Sequence, residues 1–295
     1  MTIFFINIEP DLAKKIPKSP DNASIIDSMP SPNPDSLFLE PGHVTEIITT
    51  INTLATSSGV GMDGFSSKII KNVISCIAEP LIDICNSTFI SSVFPVKLKH
   101  AKVDPIFKND EKLAITSYRP ISILPIIFKI LEKLMHSRMM SFFYKHHVLS
   151  DNQYGFREHH STYMLLLNIK DQISQEMDNN NFSIGIFLDL CKAFDTIDHS
   201  LLLKKLEIYG VRGNALHCIT SYLSDTSKCV SIDGVLSNPE KIICGVPQGS
   251  VLGPLLFILN INDIGNVSNI LKLIMFADDT NGFASHKKLI NLFQL

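Results

Sequence analysis

The sequence has no excess of positive charge, because 26 lysines and arginines stand against 29 aspartates and glutamates, for a formal net charge of −3. Proteins that bind nucleic acids usually present a basic surface, so this balance counts mildly against that class of partner. A basic groove within a neutral chain is still compatible with it. The composition is 45% hydrophobic and 19% charged, which excludes a wholly disordered chain.

Cysteine pairs at metal spacing are also lacking. None of the six cysteines forms a Cys-x-x-Cys pair or stands at zinc-site spacing from a histidine. We therefore expect reduced, mostly buried thiols in an intracellular protein of the nucleus or the cytoplasm.

A run of about 18 apolar residues, which a membrane-spanning helix needs, is absent as well. The first residues lack a basic region and a small-residue cleavage site, so no secretory signal is predicted.

Apolar residues recur at helical spacing in several parts of the chain. The pattern predicts helices over residues 42–54, 67–77, 126–144, 161–177 and 198–209. Ser66 or Ser67 is expected to cap the second of these helices. Asp198 is expected to cap the last one, and Gly210 to end it in the left-handed conformation.

Other residues are expected to stay outside the core. Residues 17–42 are rich in proline, serine and asparagine, which is typical of a linker that cannot fold by itself. In the helix over residues 126–144, Phe128 and Leu131 are expected to face the core. Glu132 is expected to face the solvent.

Four segments have the composition of β-strands. They are residues 99–108, 183–190, 228–237 and 271–276. The second segment is apolar on both faces, which predicts a central strand covered on each side. Asp233-Gly234 in the third segment predicts a tight hairpin turn. Helices and strands together predict a mixed α/β fold of the α+β class.

Three aspartates stand at the ends of two predicted strands. Asp189 lies at the end of segment 183–190, and Asp278 and Asp279 follow segment 271–276. Neighbouring carboxylates repel each other unless a cation lies between them, and Mg²⁺ prefers oxygen ligands. Three carboxylates from adjacent strands suit a pair of Mg²⁺ ions that assists phosphoryl transfer. An Asp-Asp doublet alone is weak evidence, since it is more often a solvated turn or a helix cap.

Five segments, taken together, carry a stronger signal than the doublet. They are Tyr118-Arg119-Pro120-Ile121-Ser122, Gln153-Tyr154-Gly155-Phe156-Arg157, Phe187 to His199, Gly245 to Pro254, and Phe276-Ala277-Asp278-Asp279. In this order they resemble the sequence boxes of reverse transcriptases from non-LTR, LINE-type (jockey-like) retrotransposons. One departure is Cys191, where that family usually has serine.

The resemblance implies an RNA-directed DNA polymerase that adds deoxynucleotides to the 3′-hydroxyl of a DNA primer on an RNA template. Mg²⁺ is the implied cofactor, with Mn²⁺ as a substitute, and neither a membrane nor a protein partner is implied. The implied architecture is the fingers and palm of a right-hand polymerase, with an antiparallel palm sheet. Residues 1–58 correspond to a linker and short helix, 59–160 to the fingers and 161–295 to an incomplete palm. The thumb does not fit after Thr280, so weak binding of primer-template is expected.

The resemblance also implies roles for single residues near the aspartates. Asp189 and Asp278 correspond to metal ligands, with Asp279 as a helper. Phe194, five residues after Asp189, corresponds to the steric gate, a ring that crowds a 2′-hydroxyl and favours deoxynucleotides. An ordinary core aromatic is the alternative for Phe194.

Further residues are implied to contact the nucleotide or the template. Gln248 lies in a loop that Gly249 allows to approach the substrate closely. Arg119 and Lys108 correspond to residues that hold the triphosphate, Arg119 by its fork and Lys108 as a point charge. For Lys108, a solvated strand end is an alternative of similar weight.

Two other interpretations of the whole chain stay open. One is a degenerate fragment that folds in part and catalyses nothing, which the absence of a thumb favours. The other is a repurposed nucleic-acid-binding or interaction module, which no added domain or basic tail supports. The complete set of aspartates favours the enzyme.

Overall fold

The computed structural model describes residues 29–56, 59–108, 111–190 and 192–288, and only the backbone of Val267. Seven α-helices lie in these ranges: α1 Val44–Thr53, α2 Ser67–Ser91, α3 Ile126–Lys145, α4 Thr162–Asp178, α5 His199–Ile208, α6 Asn214–Leu223 and α7 Leu252–Asn260. Eight strands accompany them: β1 His100–Phe107, β2 Tyr118–Ile123, β3 Phe182–Asp189, β4 Ser227–Ile232, β5 Val235–Leu236, β6 Glu240–Lys241, β7 Lys272–Phe276 and β8 Asp279–His286. The mixed α/β class is thus confirmed.

The strands form two separate sheets. In the first sheet the order is β2-β1-β4-β5, with β6 also paired to β4. Strand β1 pairs antiparallel with β2 and parallel with β4. The second sheet has the order β3-β8-β7 and is antiparallel throughout. It is this second sheet that carries the three aspartates near its ends.

Local capping residues set the ends of several helices as predicted. Ser66 is the N-cap of α2, and its side chain accepts a hydrogen bond from the Ile69 amide. Asp198 caps α5 by accepting from the Ser200 and Leu201 amides. Gly210, just beyond α5, has a φ of +99°, which is the left-handed stop expected there. The hairpin turn at Asp233-Gly234 is also confirmed, since both residues have positive φ and join β4 to β5.

The main hydrophobic core gathers side chains from every helix of the described chain except α4. An aromatic group lies at its centre, where the rings of Phe94 and Phe128 are 4.9 Å apart and Tyr222 lies 5.5 Å from each. Helix α4 packs instead on the second sheet, with Leu165 against Ile274 and Phe283. The fold therefore has a helical core on one side of β7 and a single helix on the other.

Three predictions about burial were wrong. Glu132 faces the core and is fully buried, because its carboxylate accepts hydrogen bonds from other elements there. Among the described residues strand β3 pairs with β8 alone, so it is an edge strand there rather than a central one, and Phe187 on it is 70% exposed. In the described part of the predicted linker, Leu37 and Leu39 are buried in the core. The Leu37 amide donates to the Gly210 carbonyl, which ties this segment to the helices.

Helix α2 is, within the described ranges, the one helix that is long and apolar enough to cross a membrane. Length and composition are weak evidence, because a core helix of a water-soluble protein passes the same test. The buried residues of α2 include Ile70, Leu81 and Phe89, and they belong to the main core.

Candidate active site

The Asp278-Asp279 doublet lies at a tight hairpin between β7 and β8. Phe276 and Asp279 form the last cross-strand pair, so Ala277 and Asp278 make a two-residue loop. Ala277 has a φ of +55°, and Asp278 is not in the positive-φ region. This combination is that of a type II′ turn, whose first loop residue is usually glycine. Ala277 therefore adopts a backbone conformation that is unfavourable for a residue with a Cβ atom.

Asp189 and Asp279 are brought together by the strand register. The two residues are directly opposite each other in the antiparallel pairing of β3 with β8. Residues paired in this way project from the same face of a sheet, with Cβ atoms about 5 Å apart. Both side chains are exposed, whereas the sequence suggested carboxylates desolvated at the ends of buried strands. Asp278, half-buried in the turn, adjoins this pair.

The three aspartates do not form a closed ligand cluster. Within the described ranges, no three His, Cys, Asp or Glu side chains are grouped so as to hold a metal ion by themselves. The pair Asp189 and Asp279 opens into a pocket beside the start of α4, which Thr162 and Leu166 also line. This pocket leaves room at the carboxylates for water or substrate oxygens.

A neighbouring segment braces the hairpin turn. Residues 152–155 run beside β7, since the Met275 amide donates to Asn152 and the Tyr154 amide donates to Met275, each at 2.8 Å. The Gln153 side chain reaches the turn itself and accepts a hydrogen bond of 2.9 Å from the Ala277 amide. The family resemblance implies that this segment belongs to the fingers, and in the structure it lies against the aspartate turn.

Phe194 lies in the loop that follows β3 and is half-buried. Its ring stacks on Phe257 of α7, with centroids 4.8 Å apart, and meets Phe156 edge to face at 5.9 Å. The Phe194 carbonyl accepts a hydrogen bond of 2.8 Å from the Val246 amide, which fixes its loop against residues 245–250. The ring is thus held rigidly while part of it stays accessible.

The loop of residues 245–250 fits closely between the loop after β3 and the strand β2. A Cβ atom on Gly245 would come within 2.8 Å of the Asp195 carbonyl oxygen. A Cβ atom on Gly249 would come within 2.7 Å of the Ser122 carbonyl oxygen. Both glycines also have positive φ, so close approach and backbone conformation each require glycine here.

Gln248, in the same loop, is held by a buried carboxylate. Its Nε2 atom donates to both oxygens of Asp195, at 3.2 and 3.3 Å. Burial raises the pKa of Asp195, and the nearby Lys228 ammonium opposes that rise. The backbone carbonyl of Gln248 accepts from the Ser122 amide at 2.7 Å, which joins the loop to β2.

Arg119 and Lys108 lie on one hairpin of the first sheet. Arg119 on β2 is opposite Ile106 on β1, and Lys108 follows β1 two residues later. Side chains two residues apart on a strand share a face, so Arg119 and Lys108 project to the same side. Both are exposed. The contact between Ser122 and Gln248 connects this hairpin to the loop beside Phe194.

Glu132 is a buried acid that sequence reasoning placed in solvent. It accepts from the Tyr222 hydroxyl at 2.8 Å and from the Val251 and Leu252 amides at the start of α7, at 3.0 and 3.2 Å. Burial raises the pKa of Glu132 to about 7, against the lowering effect of these hydrogen bonds. The spacing contained a signal, because Glu132 stands four residues after the inward-facing Phe128.

The chain is similar in sequence to known reverse transcriptases. A sequence profile described as reverse transcriptase (RNA-dependent DNA polymerase) matches residues 106–293, which is more than half of the chain. The probable RNA-directed DNA polymerase from transposon BS of Drosophila melanogaster is 32% identical over 239 residues, covering 79% of this chain and 26% of that protein. The RNA-directed DNA polymerase from mobile element jockey of the same organism is 29% identical over 274 residues, covering 88% of this chain and 29% of that protein.

A third relative is the probable RNA-directed DNA polymerase from transposon X-element of Drosophila melanogaster, which is 29% identical over 245 residues, or 81% of this chain and 26% of that protein. The chain thus spans less than a third of the length of these relatives. The resemblance seen in the sequence boxes is confirmed, and this chain belongs to the reverse transcriptase (RNA-dependent DNA polymerase) family.

Proposed function

We propose that this chain is the polymerase region of a retrotransposon reverse transcriptase. It adds deoxynucleotides to a DNA primer 3′-hydroxyl under the direction of an RNA template. One observation carries the proposal: Asp189 and Asp279 oppose each other across β3 and β8, with Asp278 in the adjoining turn, in a chain whose family is that of RNA-dependent DNA polymerases. RNA template, DNA primer and deoxynucleoside triphosphates are the proposed partners.

The donor atoms of the three aspartates fit a divalent cation. Mg²⁺ binds carboxylate oxygens and keeps several waters, which suits exposed side chains beside an open pocket. In this proposal Asp189 and Asp278 hold the metal and Asp279 assists, with Mn²⁺ as a substitute for Mg²⁺. When bound, the metal would polarise the attacking hydroxyl and stabilise charge on the transferred phosphoryl group.

Two side chains are proposed to select and orient the nucleotide. Phe194, held between Phe257 and Phe156, forms a wall that excludes a 2′-hydroxyl from the sugar site. Gln248 presents its amide to the incoming nucleotide or the template, and Asp195 sets the orientation of that amide. Gly249 allows the backbone of this loop to lie close to the substrate.

The triphosphate is proposed to bind at the β1–β2 hairpin. Arg119 and Lys108 project from the same face of that hairpin and supply two positive charges. A guanidinium fork binds phosphate oxygens in pairs, and an ammonium group adds a point charge. The hairpin also contacts the Gln248 backbone, which supports a single nucleotide site between the two sheets.

The domain assignment follows from these roles. Residues 59–160, which carry the basic hairpin, are proposed to be the fingers, and residues 161–295, which carry the aspartate sheet, the palm. Residues 1–58 correspond to the predicted linker and short helix: α1 is the short helix, whereas Leu37 and Leu39 pack in the core. Residues 1–28, 57 and 58 lie outside the described part of the chain. The nucleus or the cytoplasm, where template RNA is present, is the proposed location.

Primer extension tests the proposal directly. The chain is incubated with an RNA template annealed to a DNA primer, deoxynucleotides and Mg²⁺, and the products are separated by size. Extension that requires RNA template and Mg²⁺, and that Asp189→Asn lowers by about 100-fold or more, is the expected result. Equal extension by the wild type and Asp189→Asn would assign the activity to a contaminant.

A second candidate is a nucleic-acid-binding module without catalysis. It is favoured by one observation, that the three aspartates do not form a ready-made metal cluster within the described chain. In that case primer-template binds but is not extended, and Asp189→Asn leaves binding unchanged.

A further inference from the structure

We infer that Gln153 is a positioning residue for the Asp278-Asp279 turn, acting on the proposed metal ligands through the backbone of Ala277. The inference rests on the proposed function for its catalytic consequence, whereas its structural content stands on contacts within the chain. Gln153 touches neither the proposed substrate nor a carboxylate in the described contacts. Its effect on chemistry is therefore indirect.

The turn needs an external support because its first loop residue is alanine. Ala277 is buried and has a φ of +55°, a conformation that alanine rarely adopts. Conformations of this kind persist where the surrounding structure holds them in place. Without such support the peptide groups on either side of Ala277 can rotate, and Asp278 would then move with them.

The Gln153 side chain supplies that support to both backbone groups of Ala277, its amide and its carbonyl. Its Oε1 atom accepts from the Ala277 amide at 2.9 Å, and its Nε2 atom makes a longer contact of 3.4 Å to the Ala277 carbonyl. Oε1 also accepts from the Gly155 amide at 2.8 Å, which fixes the orientation of the side-chain amide. Gln153 is only 1% exposed, so water does not compete for these groups.

The segment around Gln153 is itself locked to the strand that leads into the turn. The Asn152 carbonyl accepts a hydrogen bond from the Met275 amide, and the Tyr154 amide donates one to the Met275 carbonyl. Gly155 then passes so close that a Cβ atom on it would lie 2.2 Å from the Ala277 nitrogen. Residues 152–155 and the turn are therefore packed as one unit, in which Gln153 is hydrogen-bonded to the backbone of Ala277.

The consequence concerns the geometry of the metal ligands. The turn fixes where Asp278 projects and keeps Asp279 in register with Asp189. A shift of about 1 Å in a reacting group can lower a rate about 100-fold. Loss of the Gln153 contacts should thus lower kcat and weaken metal binding, while KM for the deoxynucleotide stays close to the wild-type value.

The test compares the whole chain carrying Gln153→Met with a matched control, Gln172→Met. Methionine keeps the length and volume of glutamine but removes its strong hydrogen-bonding groups. Gln172 on α4 donates to Asn168 at 3.0 Å, and none of its described hydrogen bonds reaches the turn. The control thus loses a side-chain hydrogen bond on the helix that covers the second sheet, away from the segment of Gln153.

The first readout is amide hydrogen exchange of Ala277, followed by NMR with ¹⁵N-alanine labelling. Exchange at Ala277 should be about tenfold faster or more in Gln153→Met and unchanged in Gln172→Met, since a local opening exposes that amide. Other alanines, such as Ala284 on β8, serve as internal references. Unchanged exchange at Ala277 in Gln153→Met would overturn the inference.

The second readout is Mn²⁺ affinity, measured by electron paramagnetic resonance without any substrate. The affinity of Gln153→Met for Mn²⁺ should be lower than that of the wild type by about fivefold or more. Equal affinity would overturn the positioning role. This measurement decides the inference even if the wild type extends no primer, an outcome that would instead remove the proposed function.

The third readout is the split between kcat and KM for single-nucleotide addition. A kcat lowered about 100-fold at a KM within twofold of the wild type supports positioning. A kcat that stays at the wild-type value in an active protein would contradict it. If Gln153→Met unfolds, Gln153→Asn takes its place: its side chain is one methylene shorter and does not reach the Ala277 amide, so exchange at Ala277 should again be faster, and unchanged exchange would overturn the inference.

Discussion

Asp189 at the end of β3 lies directly opposite Asp279 at the start of β8. Like charges in directly opposed positions destabilise a sheet, and a cation between them removes that cost. The pair lies at the open end of an edge strand, beside a pocket rather than within the core. The arrangement costs the sheet some stability and places carboxylate oxygens from two strands beside each other.

The first prediction concerns this carboxylate pair. Asp279→Asn should raise the free energy of unfolding in the absence of divalent ions by a few tenths to about 1 kcal/mol, because one like charge is removed. Mg²⁺ should raise the Tm of the wild type and have a smaller effect on the variant. Thermal unfolding followed by circular dichroism measures both quantities. Asp171→Asn, an exposed aspartate on α4, is the control. Equal Mg²⁺ responses in all three proteins would contradict a shared site.

The second prediction concerns Phe194. Phe194→Ala should increase ribonucleotide incorporation relative to deoxynucleotide incorporation by about tenfold or more, because the ring no longer fills the space beside the sugar. The ratio of kcat/KM values for a matched dNTP and rNTP measures the change. Phe257→Leu is the control, since it removes the same ring stack and leaves the Phe194 ring in place. A Phe194→Ala variant with lower Tm but unchanged discrimination would make Phe194 a core residue alone.

The third prediction concerns pH and Glu132. Burial raises the pKa of Glu132 from its usual value of 4.5 to about 7, so the folded state binds a proton more tightly than the unfolded state does. The contribution of this group to stability is therefore complete below about pH 4.5 and decreases as the pH rises to about 7. The loss over this window is on the order of 3 kcal/mol.

Urea unfolding at several pH values tests the role of Glu132. Glu132→Gln cannot ionise, so the difference in unfolding free energy between wild type and variant should change with pH between about 4.5 and about 7 and stay constant above. Glutamine also lacks the second acceptor for the Val251 amide, which adds a constant offset. If the difference in unfolding free energy between the two proteins does not change between about pH 4.5 and about pH 7, Glu132 ionises like an exposed glutamate.

The fourth prediction concerns the contact between Asp195 and Gln248. Asp195→Ala removes the acceptor for the Gln248 amide, so the side chain loses its fixed orientation. We expect KM for the deoxynucleotide to rise about tenfold, with a smaller effect in Asp195→Asn, which keeps one acceptor oxygen. Steady-state primer extension at varied dNTP concentration gives these values. Unchanged KM in both variants would mean that Gln248 acts without the help of Asp195.

Local structure was the part of this molecule that sequence reasoning predicted best. The caps at Ser66 and Asp198 and the turn at Asp233-Gly234 were all confirmed. In each case the decisive hydrogen bonds or backbone angles involve residues within three positions of each other. Such interactions depend little on the rest of the fold.

Burial and edge position were predicted poorly. The apolar composition of β3 suggested a covered central strand. Composition does not say which strands pair on either side, and in the part of the chain that the structure describes β3 pairs with β8 alone. Glu132 was assigned to the solvent because it is charged. Its burial depends on Tyr222 and on the Val251 amide, which is 119 residues away in the chain.

The sequence by itself determined the family, the local caps and turns, and the three aspartates that stand at the ends of the strands. Only the tertiary structure decided that Asp189 faces Asp279 and that Gln153, 124 positions before Ala277, holds the turn between them. The physical reason is that strand register and side-chain burial depend on contacts between distant parts of the chain. A pattern of neighbouring residues specifies the chemical groups, whereas the packed fold specifies which of them meet.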